Sequence, residues 1–179
     1  MALPDPQQEQ DLVNAFVPFT PQIKDLKMFV AQSMIQRLIG NQDISGLTNL
    51  NMTIANDGDG GQPLIISDLA TRMCNLSVMQ IGSGLDNLHF PWAQLTEFDV
   101  TSLPLNECFS IFCQCHNLSH LHLGGISGWY DGVTCPHVLM PNLVLLELNI
   151  HEMDIGCMWN NLTLPRLQEG NFRFLIEDS

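Results

Sequence analysis

Positive charge is scarce in this sequence: six Lys and Arg stand against 19 Asp and Glu, a formal net charge of −13. Phosphate recognition needs clustered Lys and Arg, so nucleic acid and anionic membranes are not the expected partners. A basic or neutral protein is. No run approaches the ~18 apolar residues of a membrane-spanning helix. The start, Met1-Ala2-Leu3-Pro4-Asp5-Pro6, has neither the basic n-region nor the apolar h-region of a signal peptide. The chain therefore reads as intracellular, in cytoplasm or nucleus. There the six cysteines (Cys74, Cys108, Cys113, Cys115, Cys135 and Cys157) are expected as free thiols rather than three disulfides. The sequons at Asn51, Asn75, Asn117 and Asn161 read as by-products of a repeat that places Asn before apolar positions.

Catalytic signatures are also missing. The chain has no nucleophile motif, P-loop or dinucleotide fingerprint. Asp57-x-Asp59 imitates the start of a calcium loop, but Gly61 stands at the next ligand position. Gln62 replaces the required Gly, and Asp68 the final Glu. Cys113-Gln114-Cys115-His116 looks like a metal knuckle without a second ligand pair. No cofactor or resident metal is expected, and the chain reads as non-enzymatic.

One pattern dominates what is present: Leu-x-x-Φ-x-Φ, with Φ a large apolar residue. It occurs as Leu47-Leu50-Met52, Leu76-Met79-Ile81, Leu95-Phe98-Val100, Leu118-Leu121-Leu123 and Leu143-Leu146-Leu148. A weaker copy begins at Leu167, with Gly170 in the middle place and Phe172 in the last, and a degenerate one is Ile23-Leu26-Met28. First positions fall at 23, 47, 76, 95, 118, 143 and 167, in steps of 24, 29, 19, 23, 25 and 24. Leucine-rich repeats run about 20–29 residues. Three residues before the first position stands another apolar residue (Ile44, Met73, Trp92, Cys115, Met140, Leu164), except at the first copy, which has Thr20.

The spacing predicts an α/β leucine-rich-repeat solenoid of about six to seven irregular repeats. A parallel sheet lines its concave face, with short helices or loops on the convex face. It occupies residues 23–179, behind a partly flexible N-terminal segment, 1–22. The last two apolar residues of each motif are two apart and share one face of a strand, so their neighbours point the other way. Residues 23–39 read either as one helix or as a degenerate first repeat. Among the returns, a short helix capped by Ser67 or Asp68 is expected before Cys74. A better one runs from Glu107 to Cys115, capped by Asn106, with Cys108, Ile111, Phe112 and Cys115 as its apolar stripe. The 19-residue step leaves room only for a tight irregular return, and the return at 124–132 is too Gly-rich for a helix. The Asn/Cys site of common leucine-rich repeats holds Ala55, Gly84, Leu103, Ile126 and His151, so no asparagine ladder forms.

The stretch Phe90-Pro91-Trp92-Ala93-Gln94-Leu95-Thr96-Glu97-Phe98-Asp99-Val100 resembles fungal F-box/leucine-rich-repeat proteins, in which Pro-Trp-x-Gln-Leu-Thr opens a repeat. Leu105-Asn106-Glu107-Cys108, Cys115-His116-Asn117-Leu118, Met140-Pro141-Asn142-Leu143 and Leu162-Thr163-Leu164-Pro165-Arg166-Leu167 are similar in style, and the likeness spans roughly residues 44 to 174. The resemblance implies the substrate-binding part of an F-box ubiquitin-ligase receptor, with the cullin adaptor as one partner and a target protein as another. The chain departs from the family at the F-box: residues 1–40 offer Leu3-Pro4-Asp5, but neither the acidic-apolar sequence that follows nor any Trp. The alternative is a stand-alone interaction or scaffold protein with no ubiquitin connection.

The same register predicts which side chains line the concave face: Asn49, Asn51 and Thr53; Val78 and Gln80; Glu97, Asp99 and Thr101; His120 and His122; Leu145, Glu147 and Asn149; Glu169, Asn171 and Arg173. Adjacent strands lie about 4.8 Å apart. His120 and His122 then stand between Glu97 and Asp99 on one side and Glu147 on the other. Two His beside three carboxylates fit a protein-recognition patch, a pH-sensitive surface, a divalent-metal site or a plainly solvated sheet face. Glu97, Asp99, His120, His122 and Glu147 are accordingly the candidate protein-binding residues. Trp129 and Tyr130, in the Gly-rich return, are candidate loop contacts or fold back on the convex core. Trp92 and Trp159 are assigned to the core.

Overall fold

The structure is a computed structural model that describes residues 6–39, 42–55, 64–66, 70–81, 88–126, 135–151 and 155–175. Along the chain run α1 (Pro6–Phe16), a 3₁₀ turn (Val17–Gln22), β1 (Asp25–Ala31), α2 (Gln32–Ile39), β2 (Asn49–Ala55), β3 (Leu64–Ile65), β4 (Asn75–Ile81) and β5 (Leu88–His89). A second 3₁₀ turn (Trp92–Gln94) leads to β6 (Glu97–Thr101), α3 (Leu105–Phe112), β7 (His120–Ile126), β8 (Val138–Leu139), β9 (Leu145–His151), α4 (Ile155–Asn161), β10 (Leu162–Thr163) and β11 (Glu169–Leu175). The architecture is α/β. Seven parallel strands form one sheet in the order β1-β2-β4-β6-β7-β9-β11, which does not close into a barrel. No helix among the described residues is long and apolar enough to cross a membrane.

The pairing register corrects one sequence expectation. Leu50 pairs with Leu76 and Met52 with Val78, and these pair onward with Phe98 and Val100. Leu76 therefore holds the second apolar place of its repeat, and Met73 the first. Val78 is fully buried, whereas Met79 is 46% exposed. Leu76-Met79-Ile81 was a false threading. With Met73 in place, first positions fall at 23, 47, 73, 95, 118, 143 and 167, in steps of 24, 26, 22, 23, 25 and 24. The repeat is more even than the motif alone indicates.

Two hydrogen-bond ladders explain why the strands stack in this register. In every repeat the N–H of the first apolar residue donates to the carbonyl three residues earlier. These bonds run from Ile23 to Thr20, Leu47 to Ile44, Met73 to Ala70, Leu95 to Trp92, Leu118 to Cys115, Leu143 to Met140 and Leu167 to Leu164. The carbonyl just after that residue then accepts two N–H groups from the next repeat: Lys24 O from Thr48 and Asn49, Thr48 O from Cys74 and Asn75, and so on to Val144 O from Gln168 and Glu169. Side chains reinforce this second ladder. Thr48 Oγ1 donates to Lys24 O (3.0 Å), Cys74 Sγ to Thr48 O (3.7 Å) and Ser119 Oγ to Thr96 O (2.9 Å), while Thr96 Oγ1 lies 3.3 Å from Cys74 O. Small hydroxyl and thiol donors at the start of the strands thus satisfy backbone that an asparagine ladder would serve elsewhere. Asn117 and Asn142 add bonds to Ala93 O (2.8 Å) and His116 O (3.1 Å) of the preceding turns.

Beneath the sheet the apolar rows form one core, running from Val30, Leu50, Met52, Leu76 and Val78 to Leu146 and Leu148. Trp92 joins it as expected, edge-to-face with Phe90 (5.1 Å) and Phe98 (5.6 Å). Trp159 does not: it is 38% exposed, meeting Phe172 of β11 edge-to-face with no further layer over the pair among the described residues. The returns are mixed. β1 and α2 resolve the reading of residues 23–39 in favour of a strand followed by a helix. α3 buries Cys108, Ile111 and Phe112, as its stripe predicts, with Cys115 buried just beyond it. Its N-cap is Pro104 rather than Asn106, whose Oδ1 is buried without a partner. Residues 67–69 lie outside the described residues, and the flanking Leu64–Ile65 pairs as a strand with Leu88–His89 in the return once expected to be irregular. Val138–Leu139 pairs likewise with Leu162–Thr163. Residues 6–22 form α1 and its 3₁₀ turn, and Val13 joins the core.

Gly125, with φ +58°, marks a bulge where β7 slips against β9. A left-handed residue in a bulge is a glycine position.

Candidate functional site

One sheet face is covered by the core, and the other is open. Parallel register arranges the open face in three rows. Asp25, Asn49, Asn75, Glu97, His120, Leu145 and Glu169 make one; Lys27, Asn51, Ser77, Asp99, His122, Glu147 and Asn171 the next. Phe29, Thr53, Met79, Thr101, Gly124, Asn149 and Arg173 make the third. Gly124 sits in this row because a Cβ there would approach Thr101 Cγ2 to 2.7 Å.

All five sequence-predicted binding residues meet here. Glu97 stands opposite His120, Asp99 opposite His122, and His122 opposite Glu147. Glu97, Asp99, His120, His122 and Glu147 line a single open cavity of ≈ 500 Å³, joined by Asn49, Asn51, Asn75 and Ser77. The middle row is wired together. His122 Nδ1 lies 2.8 Å from Asp99 Oδ1, Asn149 Nδ2 lies 3.0 Å from His122 Nε2, and Ser77 Oγ donates to Asp99 Oδ2 at 3.1 Å. The neutral ring with its proton on Nδ1 satisfies both contacts, donating to the carboxylate and accepting from the amide. Asn171 Nδ2 donates to Glu147 Oε1 (3.0 Å), so that carboxylate is also oriented. His120 differs: it is exposed and its Nδ1 lies 2.9 Å from Ser119 Oγ.

With its proton on Thr96 O, the Ser119 hydroxyl can meet His120 Nδ1 only as an acceptor. Ser77 contacts the carboxylate rather than the imidazole, and the Ser119 hydroxyl is occupied by the carbonyl ladder. Among the described residues no three His, Cys, Asp or Glu side chains converge as metal ligands. Cys113, exposed, and Cys115, buried, do not form a shared site, and burial pushes the Cys115 thiol up to about 12. Burial does the same to Cys108, also to about 12. Cys74, Cys108, Cys113 and Cys115 are free thiols.

The sequence register placed Val78 and Gln80 on this face. Val78 instead lies in the core, and Asn75, Ser77 and Met79 take the open positions. Ser77, the hydrogen-bond partner of Asp99, was missed for that reason; even spacing through Met73 was the signal that would have found it. Asn149 and Asn171 were placed on the correct face, but their role in fixing His122 and Glu147 was not foreseen. Trp129 and Tyr130 lie outside the described residues. Comparison of the chain with protein-family models, curated proteins and solved structures gave no match.

Proposed function

We propose that the chain is a non-catalytic protein-recognition module, built as a leucine-rich-repeat solenoid whose open sheet face holds its partner. The observation that carries this reading is the cavity itself: five strands contribute carboxylate, amide and imidazole groups to one recess, held in place by bonds between neighbouring strands. Preorganised polar groups on rigid strands lose little freedom on binding. A net charge of −13 and the carboxylates of Glu97, Asp99 and Glu147 favour a basic segment of the partner.

The resemblance around Phe90–Val100 supports a role as the substrate-binding part of an F-box ubiquitin-ligase receptor. One observation favours the alternative, a stand-alone interaction or scaffold protein: residues 25–39 are engaged as β1 and α2. Affinity capture of the tagged chain from a fungal lysate, with and without Ala at Glu97, Asp99, His120, His122 and Glu147, tests both readings. Proteins lost with the five substitutions, in a variant that melts like the wild type, support recognition by this face. An unchanged set moves the binding surface elsewhere. Recovery of the cullin adaptor supports the ligase reading, and its absence among otherwise specific partners supports the scaffold.

A further inference from the structure

The third row of the open face carries no charge from β1 to β7. Phe29 is 60% and Met79 46% exposed, and Thr53 stands between them in register. Thr101 follows, its Cγ2 methyl lying so close to Gly124 that a Cβ there would approach it to 2.7 Å. A lone exposed apolar side chain is ordinary, whereas a line of them marks a contact surface. With strands about 4.8 Å apart, the line from Phe29 to Gly124 is roughly 19 Å long.

The middle row runs beside it, two residues back along each strand and so about 6.7 Å away. Its charge changes along the same path. Lys27 stands at β1, Asn51 and Ser77 are uncharged, and Asp99, His122 and Glu147 follow at β6, β7 and β9. An apolar ledge thus flanks a row that repels cations at β1 and attracts them from β6 to β9.

We propose that the open face takes an amphipathic α-helix of a partner protein, laid across the strands. Its apolar stripe rests on Phe29, Met79 and the Thr101 methyl, and its Lys or Arg residues meet Asp99 and Glu147. The inference rests on recognition by this face and adds the form and pattern of the segment recognised. Same-face residues of a helix recur every 5.4 Å, close to the spacing of the strands beneath; alternate residues of an extended chain recur about every 6.7 Å and outrun it. A helix about 10–12 Å across its side chains covers both rows at once. Apolar anchors over Phe29 and Met79, two strands apart, fall at i and i+7 of the helix, as in other helix-in-groove contacts. A second copy of this chain does not supply such a helix: among its described helices only α2 carries a basic residue, Arg37.

Selection of displayed random 16-residue peptides on the 179-residue chain tests the proposal. The peptides retained should carry apolar residues at i, i+3 or i+4, and i+7, with Lys or Arg on the adjoining flank. A synthetic copy should gain helical circular dichroism on binding. Phe29→Ser and Met79→Ser, both at exposed positions, should each weaken it about tenfold or more. Replacing the apolar stripe of the peptide by Ser tests the same contact on the unaltered chain and should abolish binding. Basic peptides of period two, or helical ones indifferent to Phe29→Ser and Met79→Ser, would overturn the helix while binding lost with the five Ala substitutions kept the recognition face. Peptides indifferent to the five Ala substitutions as well would overturn both, and a chain that retains no peptide would overturn the helix.

Discussion

Leu148 in β9 and Phe172 in β11 occupy the same place in successive repeats, yet Leu148 is enclosed and Phe172 is 42% exposed. The middle of the sheet has a core row, a turn ladder and a return segment on both sides of every strand. At β11 the apolar place above Leu146 is Gly170, and the Phe172 ring lies back over it, leaning edge-to-face on Trp159 at 5.4 Å. Each repeat is stable because the next one covers it. The same motif therefore encloses its apolar residue in the centre of the sheet and leaves it half-exposed at β11.

Truncations at the two places should separate these regimes most widely. Phe98→Ala, in the closed middle, should cost about 3–5 kcal/mol in urea denaturation. Phe172→Ala should cost about 1 kcal/mol, the value of one exposed aromatic pair. Equal losses would mean that the β11 layer is as well enclosed as the middle.

Alkaline pH should destabilise the middle through its buried thiols. Burial raises Cys108 and Cys115 to about 12 from an ordinary 9.0, so the folded state favours the neutral thiol. Their contribution is complete below pH 9.0 and is lost as pH rises toward about 12, because the unfolded thiols ionise first. Melting temperature should fall across that window, and replacing both cysteines by Ala should flatten the decline. A smaller effect is expected of the side-chain ladder. Thr96→Val keeps shape but removes the hydroxyl near Cys74 O, and should cost about 1 kcal/mol by thermal denaturation.

Much of this was legible in the sequence, because apolar side chains two apart declare a strand face. Leu50 with Met52, Phe98 with Val100, Leu121 with Leu123 and Leu146 with Leu148 were all assigned correctly. The failure at β4 has a definite cause. Met73, Leu76, Val78, Met79 and Ile81 satisfy Leu-x-x-Φ-x-Φ in two ways, three residues apart, and an odd shift exchanges the two faces of a strand. Only pairing with Leu50, Met52, Phe98 and Val100 selects one. The candidate site survived because β6 and β7 offer no second Leu-led threading, and the one in β9, Leu145-Leu148-Ile150, is shifted by two residues and keeps the same face. The hydroxyl ladder of Thr48, Thr96 and Ser119 was overlooked because its residues carry no chemical signature. Their meaning comes from the neighbouring carbonyl, which sequence does not display.

The most direct test of the recognition face is a photo-crosslinking amino acid placed at one of two exposed sites. Asn51 lines the cavity on the open face, and Ser110 lies on α3 beyond the sheet. The protein partner recovered by affinity capture should crosslink through position 51 and not through position 110. Crosslinking through 110 alone would contradict the account and assign recognition to the helical side.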